Sequence, residues 1–237
     1  MSAARQLPLQ LPYRAALGRE DFLVGAANSA AVAAIDGWPD WPYGGLLLIG
    51  PTGSGKSHLL EVWRGRSGAR RYAADALPGN VMECLEGASA VAVEDCGPGI
   101  DEQAMFHLLN AAEQRGIDML LTARSAPGQW QLELPDLASR LRRLPAVAMA
   151  LPDEDLLGAL IVKLFADRQI TIERGLVDYV VPRLERSFEA VQSFVERADR
   201  AAMAERKPVT RALAARVLTA SLPPSAGDGS PDRPTID

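Results

Sequence analysis

The sequence predicts an α/β fold, a mostly parallel sheet flanked by helices, with a smaller all-α unit behind it. Three observations carry that prediction. Short apolar runs such as Leu46-Leu47-Leu48-Ile49 and Ala90-Val91-Ala92-Val93 alternate with segments of helical period, the pattern of strands buried on both faces of a sheet. A glycine-rich loop follows the first run and precedes a helix-like segment, as phosphate-cradling loops do in α/β proteins. After Pro152 the strand-like runs cease and helical patterns take over.

Taken in order, residues 1–20 read as a flexible leader. Gln6-Leu7-Pro8-Leu9-Gln10-Leu11-Pro12 alternates leucine with proline or glutamine, and proline removes backbone donors and favours extended chain. Residues 21–152 read as the core. Asn28 is a candidate N-cap for a short alanine-rich helix running to Ile35, and Gly37-Trp38-Pro39-Asp40-Trp41-Pro42 is a connector, its tryptophans covering the core edge. The run at 46–49 is the first strand, 71–73 a weaker second, and 90–93 a third that ends in Glu94-Asp95. Met105, Phe106, Leu108, Leu109 and Ala112 recur at helical spacing, and Gly116 stops that helix. Residues 118–122 and 146–150 are further strands. Residues 153–222 hold helical patterns at about 153–168, 173–184, 188–204 and 210–220. Residues 223–237 are rich in Pro, Ser, Gly and Asp and read as a disordered tail.

Composition narrows the class. The chain has 237 residues, 48% of them hydrophobic, enough for one α/β domain and an appendage. A formal charge of −5 argues against a broad nucleic-acid-binding face. The clusters Arg64/Arg66/Arg70/Arg71 and Arg140/Arg142/Arg143 each need a separate argument, since most such clusters are solvated surface. Cys84 and Cys96 fit neither a metal site nor a disulfide framework and read as buried thiols in a reducing compartment. No apolar run approaches the ~20 residues that span a bilayer, and the N-terminus lacks a signal-peptide core. The expectation is a cytoplasmic protein with no membrane partner.

The loop Gly50-Pro51-Thr52-Gly53-Ser54-Gly55-Lys56-Ser57 has the spacing G-x-x-x-x-G-K-[ST]. Its backbone N–H groups turn inward around phosphate oxygens, Lys56 supplies charge to the β- and γ-phosphates, and the Ser57 hydroxyl coordinates Mg²⁺. The implied ligand is ADP or ATP with Mg²⁺. Glu94 and Asp95 end a neighbouring strand. There one acid orders the magnesium shell and the next polarises the attacking water. Glu94 is one methylene longer than the usual aspartate, which predicts weak intrinsic hydrolysis with binding retained. His58 stands beside the nucleotide by its position after the loop, while as a residue type it and His107 read as packing groups.

Together these motifs resemble the Hda family of DnaA-related AAA+ regulators over about residues 6–220. The resemblance implies an AAA+ P-loop core with a small helical lid. Phe22-Leu23-Val24-Gly25 with Asn28 looks like the segment leading into the adenine pocket, which puts Val24 and Gly25 at the nucleotide. Leu120-Leu121-Thr122-Ala123-Arg124 is similar to the sensor-1 strand, with Thr122 at the polar position. Leu134-Pro135-Asp136-Leu137-Ala138-Ser139-Arg140-Leu141 resembles the stretch bearing the arginine finger, and Arg140 takes that role in trans on a neighbour's ATP. Phe188-Glu189-Ala190-Val191 aligns with the sensor-2 helix, but Glu189 falls where the arginine is usual and Arg186 is the nearby substitute. Gln6, Leu7, Leu9 and Leu11 resemble a clamp-binding peptide, apolar anchors on a flexible end.

What the resemblance implies is a negative regulator of chromosomal replication initiation. It would bind the DNA polymerase III sliding clamp (the beta subunit), stimulate ATP hydrolysis by DnaA, and meet DNA only through the clamp. Head-to-tail pairing of AAA+ domains leaves a homodimer open. The competing expectation is an autonomous AAA+ ATPase of helicase-loader type, which shares the loop and the acids but leaves the clamp-like peptide unexplained. A DNA-binding paralogue of the initiator is disfavoured by the negative charge and by the lack of a helix-turn-helix segment after residue 222.

Overall fold

Five strands, β1 (Gly45–Ile49), β2 (Arg70–Ala73), β3 (Ala90–Cys96), β4 (Asp118–Ala123) and β5 (Ala146–Ala148), form one parallel sheet in the order β2-β3-β4-β1-β5. The structure, a computed structural model, describes residues 22–220. The clamp-like motif of Gln6, Leu7, Leu9 and Leu11 and the tail from 223 lie outside the described residues.

The strands are apolar on both faces because both faces are covered. Side chains alternate with period two. Leu46, Leu48, Ala90, Ala92 and Leu120 pack toward α1 (Ser29–Asp36) and α2 (Lys56–Ser67). Leu47, Val91, Val93, Met119 and Leu121 pack toward α3 (Met82–Leu85), α4 (Glu102–Arg115) and α5 (Pro135–Arg143). The alanines of β3 leave room under α2 for Trp63, which is fully buried and stacks on Trp41 with ring centroids 5.2 Å apart. Trp41 and Trp38 close this edge, Trp41 donating to the Ala34 carbonyl (2.7 Å) and Trp38 to Asp118 Oδ2 (2.8 Å).

A second core belongs to α6 (Glu154–Asp167), α7 (Arg174–Val180), α8 (Phe188–Glu205) and α9 (Arg211–Thr219). Phe165, Val191, Phe194, Val195 and Ala198 are fully buried there. Three of these helices start on side-chain caps: Asp153, Ser187 and Thr210 accept from the N–H groups of Leu156, Ala190 and Leu213 at 2.8, 3.0 and 3.3 Å. Such caps contribute about 1 kcal/mol each.

The structure departs from the sequence reading in five places. α5, with only Leu137 and Leu141 buried along it, and the single turn α3 had no recognisable apolar period. β3 continues past Val93 to Cys96 through a bulge. β5 is shorter than the run 146–150, although the Met149 N–H still donates to the Ile49 carbonyl (2.7 Å). Asn28 occupies the N-cap position of α1 but makes no cap bond; its amide accepts from Gly25 N–H (2.9 Å) and donates to the Leu23 carbonyl (3.0 Å). It pins the preceding loop. Among the described residues no helix is long and apolar enough to cross a membrane.

Candidate functional site

The glycine loop leaves the carboxyl end of β1 and turns into α2, so the amino end of α2 faces the crevice where parallel α/β sheets hold ligands. Gly53 and Gly55 take φ of +80° and +91°, a left-handed backbone that glycine alone adopts at little cost. Lys56 is 7% exposed and folds back over the loop, donating to the Gly50 and Pro51 carbonyls at 2.7 and 2.8 Å. An ammonium has three donors, so one is left for an anion. Burial pushes the Lys56 pKa below 10.5; the Asp95 charge opposes this, Arg124 adds to it, and Glu189 and Glu94 oppose it. Ser54 is buried, and its hydroxyl has no partner among the described residues. Thr52 and Ser57 are exposed.

The end of β3 is shaped by its bulge. Val93 pairs with Leu121 but Cys96 with Ala123, one residue more on β3 than on β4. Bulges re-aim side chains beside functional sites. The extra residue puts Asp95 at φ +54° and exposes it, a conformation that aspartate tolerates better than most residues. Its N–H donates to Thr122 Oγ1 (3.1 Å), and Thr122 is 1% exposed. Glu94 is 6% exposed. Its Oε2 is ion-paired with Arg71 on β2, and its Oε1 is buried with no partner among the described residues. Arg71 also reaches Glu61 of α2 (3.0 Å), which in turn holds Arg64 (2.6 Å).

Magnesium is the metal such a loop implies. No group of three or more His, Cys, Asp or Glu among the described residues could hold a metal by itself. Mg²⁺ needs none where phosphates supply most of its oxygens. Ser57, in the first turn of α2, and the orphaned Glu94 Oε1 are hard oxygen donors of the right kind. These residues fit, and the other Glu94 oxygen carries the Arg71 ion pair.

The helical unit closes on the loop. A Cβ at Gly53 would lie 2.5 Å from Ser187 Cβ and 3.3 Å from Glu189 Oε2, and one at Gly55 would lie 3.1 Å from the Phe188 ring. The Phe188 N–H points to the Gly53 carbonyl at 3.4 Å. The amino end of α8 therefore sits on the phosphate loop, with exposed Glu189 and Arg186 flanking Ser187 and Phe188. Phe22 meets His58 edge-on with centroids 5.0 Å apart and lies 6.4 Å from Phe188, so His58 packs against aromatic carbon. The loop of Val24 and Gly25 passes α6; Val24 is 49% exposed, and a Cβ at Gly25 would lie 3.1 Å from Leu156.

Arg140 is elsewhere. With Arg143, Tyr43, Gly45 and Met119 it lines a small cavity at the amino end of the sheet, where β1 and β4 begin. Five residues of β1 separate that end from the phosphate loop, about 15 Å at the rise of a strand. α5 is anchored by the Leu134 N–H donating to Glu102 Oε2 (2.7 Å). Arg140 Nη1 donates to Glu113 Oε2 (2.5 Å), and its guanidinium lies 5.6 Å from the Phe106 ring centroid.

No protein-family model matches the sequence. Among solved structures, domain III of the replication initiation protein DnaA from Thermotoga maritima superposes with a TM-score of 0.73 at 16% identity, over 89% of this chain and 98% of that one. The chain has a DnaA-like AAA+ fold. AMPPCP-bound DnaA from Aquifex aeolicus gives 0.63 at 17% identity, over 75% of this chain and 63% of that chain. The RuvB Holliday junction branch migration motor of Thermotoga maritima gives 0.59 at 15%, over 74% and 61%. At these identities the likeness describes the AAA+ fold.

Within that fold the structure gathers the loop 50–57, Glu94, Asp95, Thr122 and the start of α8 around one crevice, with His58 joined to it through Phe22, while Val24 and Gly25 lie beside Leu156 of α6. Sequence reasoning gave no role to Arg71, Ser187, Phe188 or Arg124. Arg71 belongs to a four-arginine cluster for which the sequence offers no argument beyond solvated surface. The parallel register of Arg71 with Ala92 and of Ala73 with Glu94 was the signal that could have paired it with Glu94.

Proposed function

We propose that this chain is a nucleotide-binding AAA+ regulator of replication initiation that stimulates ATP hydrolysis by DnaA through Arg140 acting in trans. The observation that carries this reading is the separation of Arg140 from its own phosphate loop by the length of β1. An arginine presented at that end of the sheet serves a nucleotide held by another chain.

In this reading the loop's N–H groups and the free Lys56 donor bind the phosphates of ADP or ATP. The amino end of α8, with Arg186 beside it, closes over them. The Asn28-pinned segment with Val24 and Gly25 borders the base, and His58 packs the rim. Thr122 holds the Asp95 backbone in its bulged turn. Magnesium, when bound, neutralises phosphate charge, with Ser57 and Glu94 as the groups that would hold it. The bound nucleotide fixes the angle of the helical unit and with it the docking surface. Gln6, Leu7, Leu9 and Leu11 tether the chain to the sliding clamp, so that it reaches DnaA on DNA without binding DNA itself. The chemistry takes place in the partner.

The test is ATP hydrolysis by DnaA with clamp-loaded DNA, with and without this protein. Stimulation is expected, and Gln6→Ala with Leu7→Ala should abolish it at limiting protein. Arg140→Ala should remove the stimulated component, because an arginine finger contributes about a thousandfold or more to such rates. Unchanged DnaA turnover would refute the partner. Stimulation that survives Arg140→Ala would refute the finger.

A further inference from the structure

We infer that Arg71 is a built-in counter-ion to Glu94 that competes with magnesium, so that the chain binds nucleotide with little help from the metal. The inference rests on the nucleotide reading above and concerns the same site. Glu94 is buried near the end of β3, and its charge acts on Lys56 of the phosphate loop. Such a buried carboxylate is stable only if paired or ligated. Here one oxygen is taken by the Arg71 guanidinium, and the other has no partner among the described residues. The Arg71 side chain is 46% exposed, yet both arms of its guanidinium are engaged. Its second arm is fixed by Glu61, and Glu61 is fixed by Arg64 with two contacts of 2.6 and 2.8 Å. This chain of alternating charge ties β3 and β2 to α2, the helix whose first turn carries Ser57.

A metal shell at Ser57 draws on the Glu94 charge through Oε1, and Arg71 already shares that charge through Oε2. The extra methylene of Glu94 suits this arrangement, because it carries the carboxylate toward β2. The guanidinium therefore supplies Glu94 with a positive partner from within the chain, where otherwise the ion would supply it. Two consequences follow. Nucleotide affinity should differ little between magnesium and chelator, and hydrolysis by the isolated chain should be slow because the acid nearest the metal is occupied. Arg71 is thus a positioning residue acting through Glu94.

The experiment measures the dissociation constants of ADP and ATP by titration calorimetry on the full chain, in excess Mg²⁺ and in EDTA. The proteins are wild type, Arg71→Gln, Arg71→Lys and the double variant Arg71→Gln/Glu94→Gln. Wild type should show a ratio within about twofold between the two conditions, and Arg71→Gln should show about tenfold tighter ATP binding in magnesium. Arg71→Lys, which keeps the charge, should resemble wild type. The double variant should lose the gained magnesium dependence, a result that a purely structural role for Arg71 would not produce. Should Arg71→Gln fail to fold, the wild-type ratio and Arg71→Lys still decide. A wild-type ratio of about tenfold or more overturns the inference, and so does an Arg71→Gln ratio equal to that of wild type. Absence of nucleotide binding in both conditions would instead overturn the nucleotide reading, and this inference with it.

Discussion

Gly53 and Gly65 offer one chemical change with opposite predicted signs. Gly53→Ala places a methyl at φ +80° and 2.5 Å from Ser187 Cβ. The left-handed backbone costs a non-glycine residue about 1–2 kcal/mol, and overpacking adds about 1–3 kcal/mol. Part of the clash is relieved if α8 backs away, so the expected loss is about 2–3 kcal/mol. Gly65 lies in α2, exposed, with nothing within 4 Å of the added methyl. Replacing a helical glycine by alanine there should gain about 1 kcal/mol. In a chain of this size one kcal/mol moves Tm by about 2–4 °C. Thermal unfolding followed by circular dichroism should therefore show Gly53→Ala several degrees below wild type and Gly65→Ala slightly above it. Nucleotide titration should show binding lost in the first variant and kept in the second. Equal Tm values for Gly53→Ala and wild type would mean that α8 does not rest on the loop, and the account of the closed crevice would fall.

Three further outcomes follow from the same geometry. Glu113 holds Arg140 and, at 3.6 Å, Arg143, with all three side chains partly exposed; Glu113→Gln should change stability by less than about 1 kcal/mol while raising the stimulation of DnaA hydrolysis, and a fall in stimulation would show that the pair positions Arg140 instead of restraining it. Lys56 has its folded pKa below 10.5 through burial, so the unfolded chain binds that proton more tightly, and the destabilisation it causes below the folded pKa is relieved as pH rises toward the unfolded value. The stability of wild type relative to Lys56→Met should accordingly grow with pH in that window, and nucleotide affinity should fall across it, whereas a flat difference would contradict the buried ammonium. Burial, reinforced by the Asp95 charge, pushes the Cys96 thiol up to about 12, and burial raises Cys84 as well. A thiol reagent at pH 8 should therefore find no reactive cysteine in the folded chain and two after denaturation.

The sheet, the phosphate loop and the lid helices were legible because each writes its period or its spacing into adjacent residues. Leu46 to Leu48 read as a strand buried on both faces and are one. The loop's glycines announced backbone turns that Gly53 and Gly55 make. What could not be read depends on pairing across the chain. The bulge that turns Asp95 out arises from the match of β3 to β4, one residue longer on one side. Nothing in Val93-Glu94-Asp95-Cys96 alone requires it. The Arg71–Glu94 pair joins neighbouring strands through side chains 23 positions apart, and a four-arginine cluster disguised it. Asn28 was read as a cap because its type and place fit one, yet the carbonyl of Leu23 and the N–H of Gly25 compete for the same amide and win it.

In the function proposed above, the arrangement also separates two tasks along β1. The phosphate loop at its carboxyl end is in contact with α8, so a ligand of that loop meets the helical unit as well. Arg140 at the amino end is held by Glu113 and Phe106, both on α4, and α5 is tied to Glu102 on the same helix. None of those partners belongs to α6, α7, α8 or α9. In that reading a change of nucleotide acts on the helical unit and leaves the scaffold of Arg140 as it is. If the chain is regulated by what it binds, the regulation falls on which neighbour the helical unit can dock, and the arginine is presented in one geometry throughout.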